Sequence, residues 1–205
     1  EFRDSGWDLK QLIRLIATSS TYRQSSHATA ALIRRDPDNR LLARGPRLRL
    51  DAETVRDNAL AAAGLLVVRH GGASVKPYQP AGLWKELAGG AGQGPYVEST
   101  GDDLFRRSLY TYRKRTVPHP QLTTFDAPGF ELCTVRRPST NTPLQALALL
   151  NGPTYLEAAR HLARRMLDAG DADAGLTLGM RAVLSRPPSA EELGVLRAAL
   201  ARHRA

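Results

Sequence analysis

The stretch from Phe105 to Gln145 combines basic and aromatic side chains in a pattern that can bind an anion. The residues that create the pattern are Arg106, Arg107, Tyr110, Tyr112, Arg113, Lys114, Arg115, Phe125, Arg136 and Arg137. Guanidinium groups pair with carboxylate, sulfate or phosphate through a planar fork, and aromatic rings stack on sugars or bases. This combination suits a carboxylated or sulfated glycan, and it equally suits single-stranded nucleic acid.

The same residues also have a purely structural interpretation. Their guanidinium groups can satisfy loop carbonyls and pair with the acids nearby, which would hold together a region that has few regular hydrogen bonds. The acids in question are Asp102, Asp103, Asp126 and Glu131. Both interpretations stay open at the level of sequence.

Seven residues are the candidate ligand contacts, namely Arg107, Tyr110, Lys114, Arg115, Asp126, Arg136 and Asn141. Asp126, Arg136 and Asn141 lie in loops or at predicted strand ends, where binding residues are usually presented. Asp126 is the only acid between Phe105 and Phe130, so ionic contacts with the flanking basic clusters should keep it charged. Such a carboxylate has three possible roles: a structural pin that holds the loop in place, a group that orients a ligand, or a general base. A catalytic pair would need a second carboxylate at a recognisable spacing, and none is present, which favours the structural pin.

Other chemistries have no support in the spacing of the residues. The five histidines form no HxxxH or HxH pair, so no metal site is predicted, and there is no GxSxG, P-loop or GxGxxG motif. Cys133 is the only cysteine, and its position in a predicted strand indicates a small buried hydrophobe. The chain therefore has no CxxCH haem attachment motif, and any haem must lie outside it.

The composition favours helices as the elements that position these residues. Of 205 residues, 42% are hydrophobic but only 6% aromatic, so Leu, Ala and Val must supply most of the core. The net charge of +9 comes mainly from 25 arginines, with only four lysines. This excess indicates either an anionic partner or arginines on solvated helix faces in a protein from a GC-rich genome.

Periodicity predicts one mainly α domain over residues 1–205, with two helical flanks packed around a loop-rich centre. The flanks are residues 1–70 and 142–205, and the centre is residues 71–141. The centre is expected to hold a small two-stranded β element formed by Ser108–Tyr112 and Glu131–Arg136, and a Gly-rich linker or surface loop at Gly89–Gly94. No apolar run is long enough for a transmembrane segment.

Capping residues predict where the helices begin. The expected N-caps are Asp8, Thr29, Asp51, Thr142 and Ser189. Ser189 is followed by Glu192 at the third position, which is the pattern of a capping box. Asp36 and Pro37 are expected to open a further short helix over Asn39–Arg44.

Seven stretches in this order resemble one known family. They are TSSTYRQSS (18–26), DPDNRLL (36–42), RLDAETVRD (49–57), GASVKPYQPAGL (72–83), RRSLYTYRKRTVP (106–118), TFDAP (124–128) and residues 133–159, which include CTVRR, TNTPLQALALLN and PTYLEAA. Together they resemble the planctomycete-specific C-terminal domain of unknown function that follows planctomycete cytochrome c-like modules. The resemblance covers nearly the whole chain.

The resemblance implies the location and the neighbouring domains of this domain, but no reaction. It implies a domain of a large exported protein, in the periplasm or at the cell surface, with haem c in a separate N-terminal domain and no cofactor in this chain. Because the chain opens with Glu1 in the entry to a helix, we expect it to be truncated at its N-terminal edge. The expected partners are other domains of the same polypeptide and an acidic or sulfated polysaccharide.

Two hypotheses for function follow, and neither decides whether the domain is an enzyme. In the first, the domain takes part in polysaccharide binding or breakdown. In the second, it is a structural or docking domain with no ligand of its own, and its charged residues form ion pairs with one another. Nucleic acid ranks third, because the basic residues are spread along the chain and the exported context argues against it.

Overall fold

The computed structural model describes residues 1–84 and 95–204, and the chain divides into two compact units, residues 1–49 and 50–205. The chain is mainly helical, which confirms the predicted fold class. The expectation of a single domain over residues 1–205 stays a prediction. The Gly-rich segment 89–94, predicted to be a linker or surface loop, lies outside the described residues. None of the described helices is long and apolar enough to cross a membrane.

The first unit contains helices α1 (Leu9–Thr18) and α2 (Ala30–Arg35). Both predicted caps are confirmed, since Asp8 accepts a hydrogen bond from the Gln11 amide and Thr29 accepts one from the Leu32 amide. The helix predicted over Asn39–Arg44 is wrong. Turns follow Pro37 instead, because the Asp36 carboxylate accepts the amides of Arg40 and Leu41, both at 2.8 Å, and closes a turn there.

The second unit is built on α3 (Ala52–Ala63), α4 (Pro120–Thr124), α5 (Pro143–Asn151), α6 (Pro153–Leu167), α7 (Ala172–Leu184) and α8 (Ala190–Arg204). Helix α3 ends at Gly64, whose φ of 76° lies in the left-handed region that glycine occupies without strain. The core cluster joins α3, α4 and α6 through Ala52, Leu122, Phe125 and Tyr155. Phe125 and Tyr155 meet edge to face, with ring centroids 6.1 Å apart.

The predicted pair of strands does not form among the described residues. Ser108–Tyr110 is a turn of 3-10 helix, preceded by another at Gly101–Phe105, and residues 131–136 are irregular. Isolated bridges join Val67 to Arg106 and Val75 to Thr111. Cys133 is exposed, so its predicted burial in a strand is also wrong.

Two capping boxes set the start of helices in the second unit. Ser189 and Glu192 exchange hydrogen bonds as predicted, and so do Thr142 and Gln145 at the start of α5. Gln145 also donates to the Thr124 carbonyl at 3.0 Å, so this cap binds α5 to the end of α4. Asp51 occupies the N-cap of α3 as predicted, but its side chain makes no capping hydrogen bond.

We expect Thr142→Ala, with Pro143 retained, to lower the free energy of unfolding by about 1 kcal/mol, since the backbone N–H of Gln145 loses the hydroxyl that caps it and keeps only the Thr142 carbonyl. Thermal and chemical denaturation measure the change. Thr142→Ser keeps the hydroxyl and is the matched control, expected to unfold close to the wild type. Equal stability of the alanine variant and the serine variant would contradict this account of the cap.

Candidate functional site

The buried side chain of Arg56 positions the loop that carries the first predicted site residues. Arg56 lies on α3 and is only 2% exposed. Its guanidinium donates to the carbonyls of Leu104 and Arg106 and to the Ser108 hydroxyl. Burial lowers the pKa of Arg56, and the negative charge of Asp57 opposes that effect. Asp57, the next residue of α3, accepts the Ser108 amide at 2.7 Å, so α3 also binds the backbone where the predicted strand Ser108–Tyr112 begins.

Arg106 and Tyr110 are also engaged inside the protein. Arg106 is 1% exposed and donates to the carbonyls of Arg69, Gly71 and Ala73. Its guanidinium stacks 3.9 Å from the centroid of the Tyr110 ring, and the Tyr110 hydroxyl accepts the Gly71 amide at 2.8 Å. Tyr110, a predicted ligand contact, therefore holds residues 69–73 against the loop.

Three further arginines of the predicted surface pair with acids of α3. Arg107 lies 3.5 Å from Asp57, while Arg113 and Arg137 bind the two oxygens of Glu53 at 2.9 and 2.6 Å. Glu53 and Asp57 are four residues apart and thus on one face of the helix. That spacing was visible in the sequence, but neither acid was among those predicted to pair with the basic residues.

Asp126 connects the end of α4 to the start of α5. Its backbone has a φ of 66°, and its carboxylate accepts the amide and the hydroxyl of Thr140, both at 2.8 Å. Gln145 lies at the edge of hydrogen-bonding distance from the same carboxylate. These contacts favour the structural pin over the general base, and the role of Asp126 in ligand binding stays a prediction.

Lys114 belongs to a group that we call the lysine–aromatic cluster, which consists of Lys76, Trp84, Tyr96, Tyr112 and Lys114. The Lys114 ammonium lies 4.3 Å from the centroid of the Trp84 ring. The Lys76 ammonium lies 5.3–5.8 Å from the ring centroids of Trp84, Tyr96 and Tyr112. Within residues 1–84 and 95–204, neither lysine forms an ion pair.

The sequence interpretation missed three members of this cluster, namely Lys76, Trp84 and Tyr96. A signal was present, since the chain has only four lysines, and Lys76 lies in a stretch rich in aromatic residues. Nothing in the local pattern shows that residues 76, 84, 96 and 112 meet, because they come from separate loop segments.

The other predicted contacts are exposed. Arg115 follows Lys114 and, together with Arg113 and Phe130, lines a cavity of about 30 Å³. Arg136 and Asn141 lie at the surface of the segment between α4 and α5. In the part of the chain that the structure describes, neither Arg115 nor Arg136 forms an ion pair. Lys114 thus belongs to the cluster, and Arg115 is the next residue in the chain. Arg136 and Asn141 lie on a separate segment of the chain.

His119 lies against the same small cavity and is buried. Burial, with a smaller contribution from the Arg56 charge, lowers the pKa of His119 to about 4, so the imidazole is neutral at pH 7. It therefore adds no positive charge to the surface. Among the described residues, no three His, Cys, Asp or Glu side chains converge in a way that could hold a metal ion.

Glu53 should contribute stability in a pH-dependent way. Burial alone would raise the pKa of Glu53, but hydrogen bonds from Arg137 and Arg113 outweigh it and hold the pKa below its ordinary value of 4.5. Since the folded-state pKa is lowered, this stabilisation is fully present above about pH 4.5 and is lost as the pH falls through the folded-state pKa.

We therefore expect Glu53→Gln to cost about 2 kcal/mol at pH 7 and progressively less below pH 4.5. Melting curves of the variant and the wild type between pH 2.5 and 8 measure the difference. Asp103→Asn, which removes a more exposed acid paired with Arg69, is the control and should cause a smaller change. A difference between Glu53→Gln and the wild type that does not vary with pH would refute the proposed role of the ion pairs.

We expect Asp126→Ala to destabilise the second unit by about 2 kcal/mol, because Thr140 loses its acceptor and alanine is strained at positive φ. Asp126→Asn should lower the free energy of unfolding by less, since asparagine keeps an acceptor oxygen and tolerates this backbone conformation. Chemical denaturation separates the two variants. If both cost the same, the carboxylate contacts with Thr140 are not what holds the two helices together.

Comparison with known proteins gives one match. The model of the PSD1 family, described as "Protein of unknown function (DUF1553)", matches residues 1–200. Searches for similar proteins among curated sequences and among solved structures found no match. The match spans both units and almost the whole length of the chain. The chain therefore belongs to the PSD1 family of proteins of unknown function.

Proposed function

We propose that the second unit binds an acidic polysaccharide, sulfated or carboxylated, at the lysine–aromatic cluster with Arg115 beside it. The observation that carries the proposal is that two ammonium groups, those of Lys76 and Lys114, share the Trp84 ring and have no carboxylate partner in the described residues. A ring face holds an ammonium group in position but does not neutralise its charge.

The geometry suits a charged sugar better than it suits a free anion. Tyr112 is 38% exposed, so its ring offers surface against which the apolar side of a sugar can stack. The two ammonium groups supply donors for a sulfate or carboxylate on the same sugar. The arginines that first suggested an anion site contribute less, because Arg106, Arg107 and Arg113 are held by internal contacts.

The setting that we propose for this binding comes from the family resemblance of the motifs. We place the domain in an exported protein, with haem c on a separate N-terminal domain of the same polypeptide. Binding would then keep the polysaccharide near the rest of that protein. The proposal does not include breakdown of the polysaccharide, because the contacts of Asp126 favour a structural role.

The alternative is a docking domain without a ligand, and one observation favours it. Several exposed apolar side chains lie on α5 and on the segment before it, namely Leu132, Val135, Leu144, Leu147 and Leu150. Exposed apolar groups of this kind mark protein contact surfaces. Under this alternative the lysine–aromatic cluster would only order its own loops.

Binding to dextran sulfate, with uncharged dextran as reference, tests the proposal on the intact domain. The net charge of +9 attracts any polyanion, so loss of charge must be separated from loss of the site. Lys114→Gln and Lys10→Gln remove the same charge, but Lys10 lies on α1, far along the chain from the cluster. We expect Lys114→Gln to weaken binding about tenfold and Lys10→Gln by less than about twofold.

Three outcomes decide between the hypotheses. A selective loss with Lys114→Gln and with Trp84→Ala supports the binding site. Equal losses for Lys114→Gln and Lys10→Gln would show only general attraction between the basic protein and the polymer. Absence of binding to dextran sulfate by the wild type would favour the docking domain.

A further inference from the structure

Helix α1 of the first unit has a continuous apolar face that the protein leaves exposed. All ten residues of α1 are described, and none of them is buried. The helical period places the large apolar side chains within one half of the circumference and the polar ones within the other. The apolar face consists of Leu9, Leu12, Ile13, Leu15 and Ile16. Leu9 and Ile13 are 60% and 57% exposed, so the face is available for contact with another surface.

Two aromatic rings add to the apolar surface just before α1. Phe2 and Trp7 meet edge to face, with ring centroids 5.3 Å apart, and Trp7 is exposed. Tryptophan is enriched where lipid meets water, because its ring is apolar and its N–H is polar.

The other face of α1 is basic. It carries Lys10 and Arg14, the helix contains no acid, and among the described residues neither base forms an ion pair. The acids before the helix have other contacts, since Asp4 pairs with Arg3 at 3.3 Å and Asp8 caps the first turn. The first unit as a whole contains ten arginines and lysines against five acids. It is therefore attracted to an anionic surface.

The size of the apolar face favours a membrane over a protein partner. Its five side chains bury roughly 300–600 Å² when they are fully covered. A stable interface between proteins takes about 800 Å² from each partner, so α1 alone is too small for a dimer or a tight complex. A membrane surface needs less apolar area, because the attraction between basic side chains and anionic lipids adds to the apolar contact.

We propose that α1 binds the surface of a membrane that contains anionic lipids and lies along that surface without crossing it. The apolar face enters the boundary between headgroups and acyl chains, about 5–10 Å deep. Lys10 and Arg14, on the opposite face, stay at the level of the lipid phosphates. The inference concerns the first unit and goes beyond the proposed binding of a polysaccharide by the second.

Co-sedimentation of the intact chain with lipid vesicles tests the proposal. One set of vesicles contains phosphatidylglycerol and phosphatidylcholine in equal parts, and the other contains phosphatidylcholine alone. The wild type should bind the anionic vesicles more tightly. Ile13→Gln changes an exposed side chain, so it should leave the melting temperature unchanged but weaken binding to these vesicles about tenfold. Arg14→Gln should weaken it about fivefold.

Each variant has a matched control on the second unit. Val195→Gln makes the same kind of change at an exposed apolar position of α8. Arg160→Gln removes the charge of an exposed arginine from α6. Both controls lie outside the first unit and should change vesicle binding by less than about twofold.

Three outcomes decide the matter. A loss confined to Ile13→Gln and Arg14→Gln, with a preference of the wild type for anionic vesicles, supports the membrane contact. If Arg14→Gln and Arg160→Gln weaken binding equally and Ile13→Gln does not, only general attraction to the basic protein acts, and the proposal is refuted. Absence of binding to both kinds of vesicle also refutes it. Since none of these outcomes depends on dextran sulfate, this inference and the proposed function can fail separately.

Discussion

The buried guanidinium of Arg56 is the interaction on which the second unit depends most. A buried charge is stable only when hydrogen bonds replace the water that it has lost. Arg56 meets this need by donating to the carbonyls of Leu104 and Arg106 and to the Ser108 hydroxyl. In return, a loop that has only short 3-10 turns and isolated bridges receives partners for its backbone. Arg56 and its neighbour Asp57 thus hold to α3 the loop that carries Arg107 and Tyr110.

The basic residues divide into two groups with different roles. Arginine has a planar fork that can satisfy several carbonyls or carboxylate oxygens at once, and most arginines of the loop are used in this way. Arg106 supports residues 69–73, while Arg113 and Arg137 both bind Glu53. Lysine is a compact charge on a flexible stem, and Lys76 and Lys114 lie on aromatic rings. The structural hypothesis thus accounts for much of the arginine excess, and the binding proposal rests on the lysines.

Two features hold α4, α5 and α6 together in the second unit. The contacts of Asp126 and Gln145 hold α4 against α5, and the short connection at Gly152 leads directly into α6 and Tyr155. A side chain at position 152 would lie 2.5 Å from the Ala148 carbonyl, so this junction requires glycine in its present geometry. This junction thus fixes where α6 begins and where Tyr155 enters the core cluster.

Local sequence patterns were enough to predict the helical class and most helix starts, because caps such as Asp8, Thr29, Thr142 and Ser189 act through residues three positions away. Local patterns failed where distant groups satisfied the backbone. Ser108–Tyr110 has strand-forming residues, but Arg56 and Asp57 bind this loop from α3 and hold it in a 3-10 turn. The fold was needed to show which basic residues pair inside the protein and that Trp84, Tyr96 and Tyr112 meet around Lys76, since charge and residue type carry no information about such distant contacts.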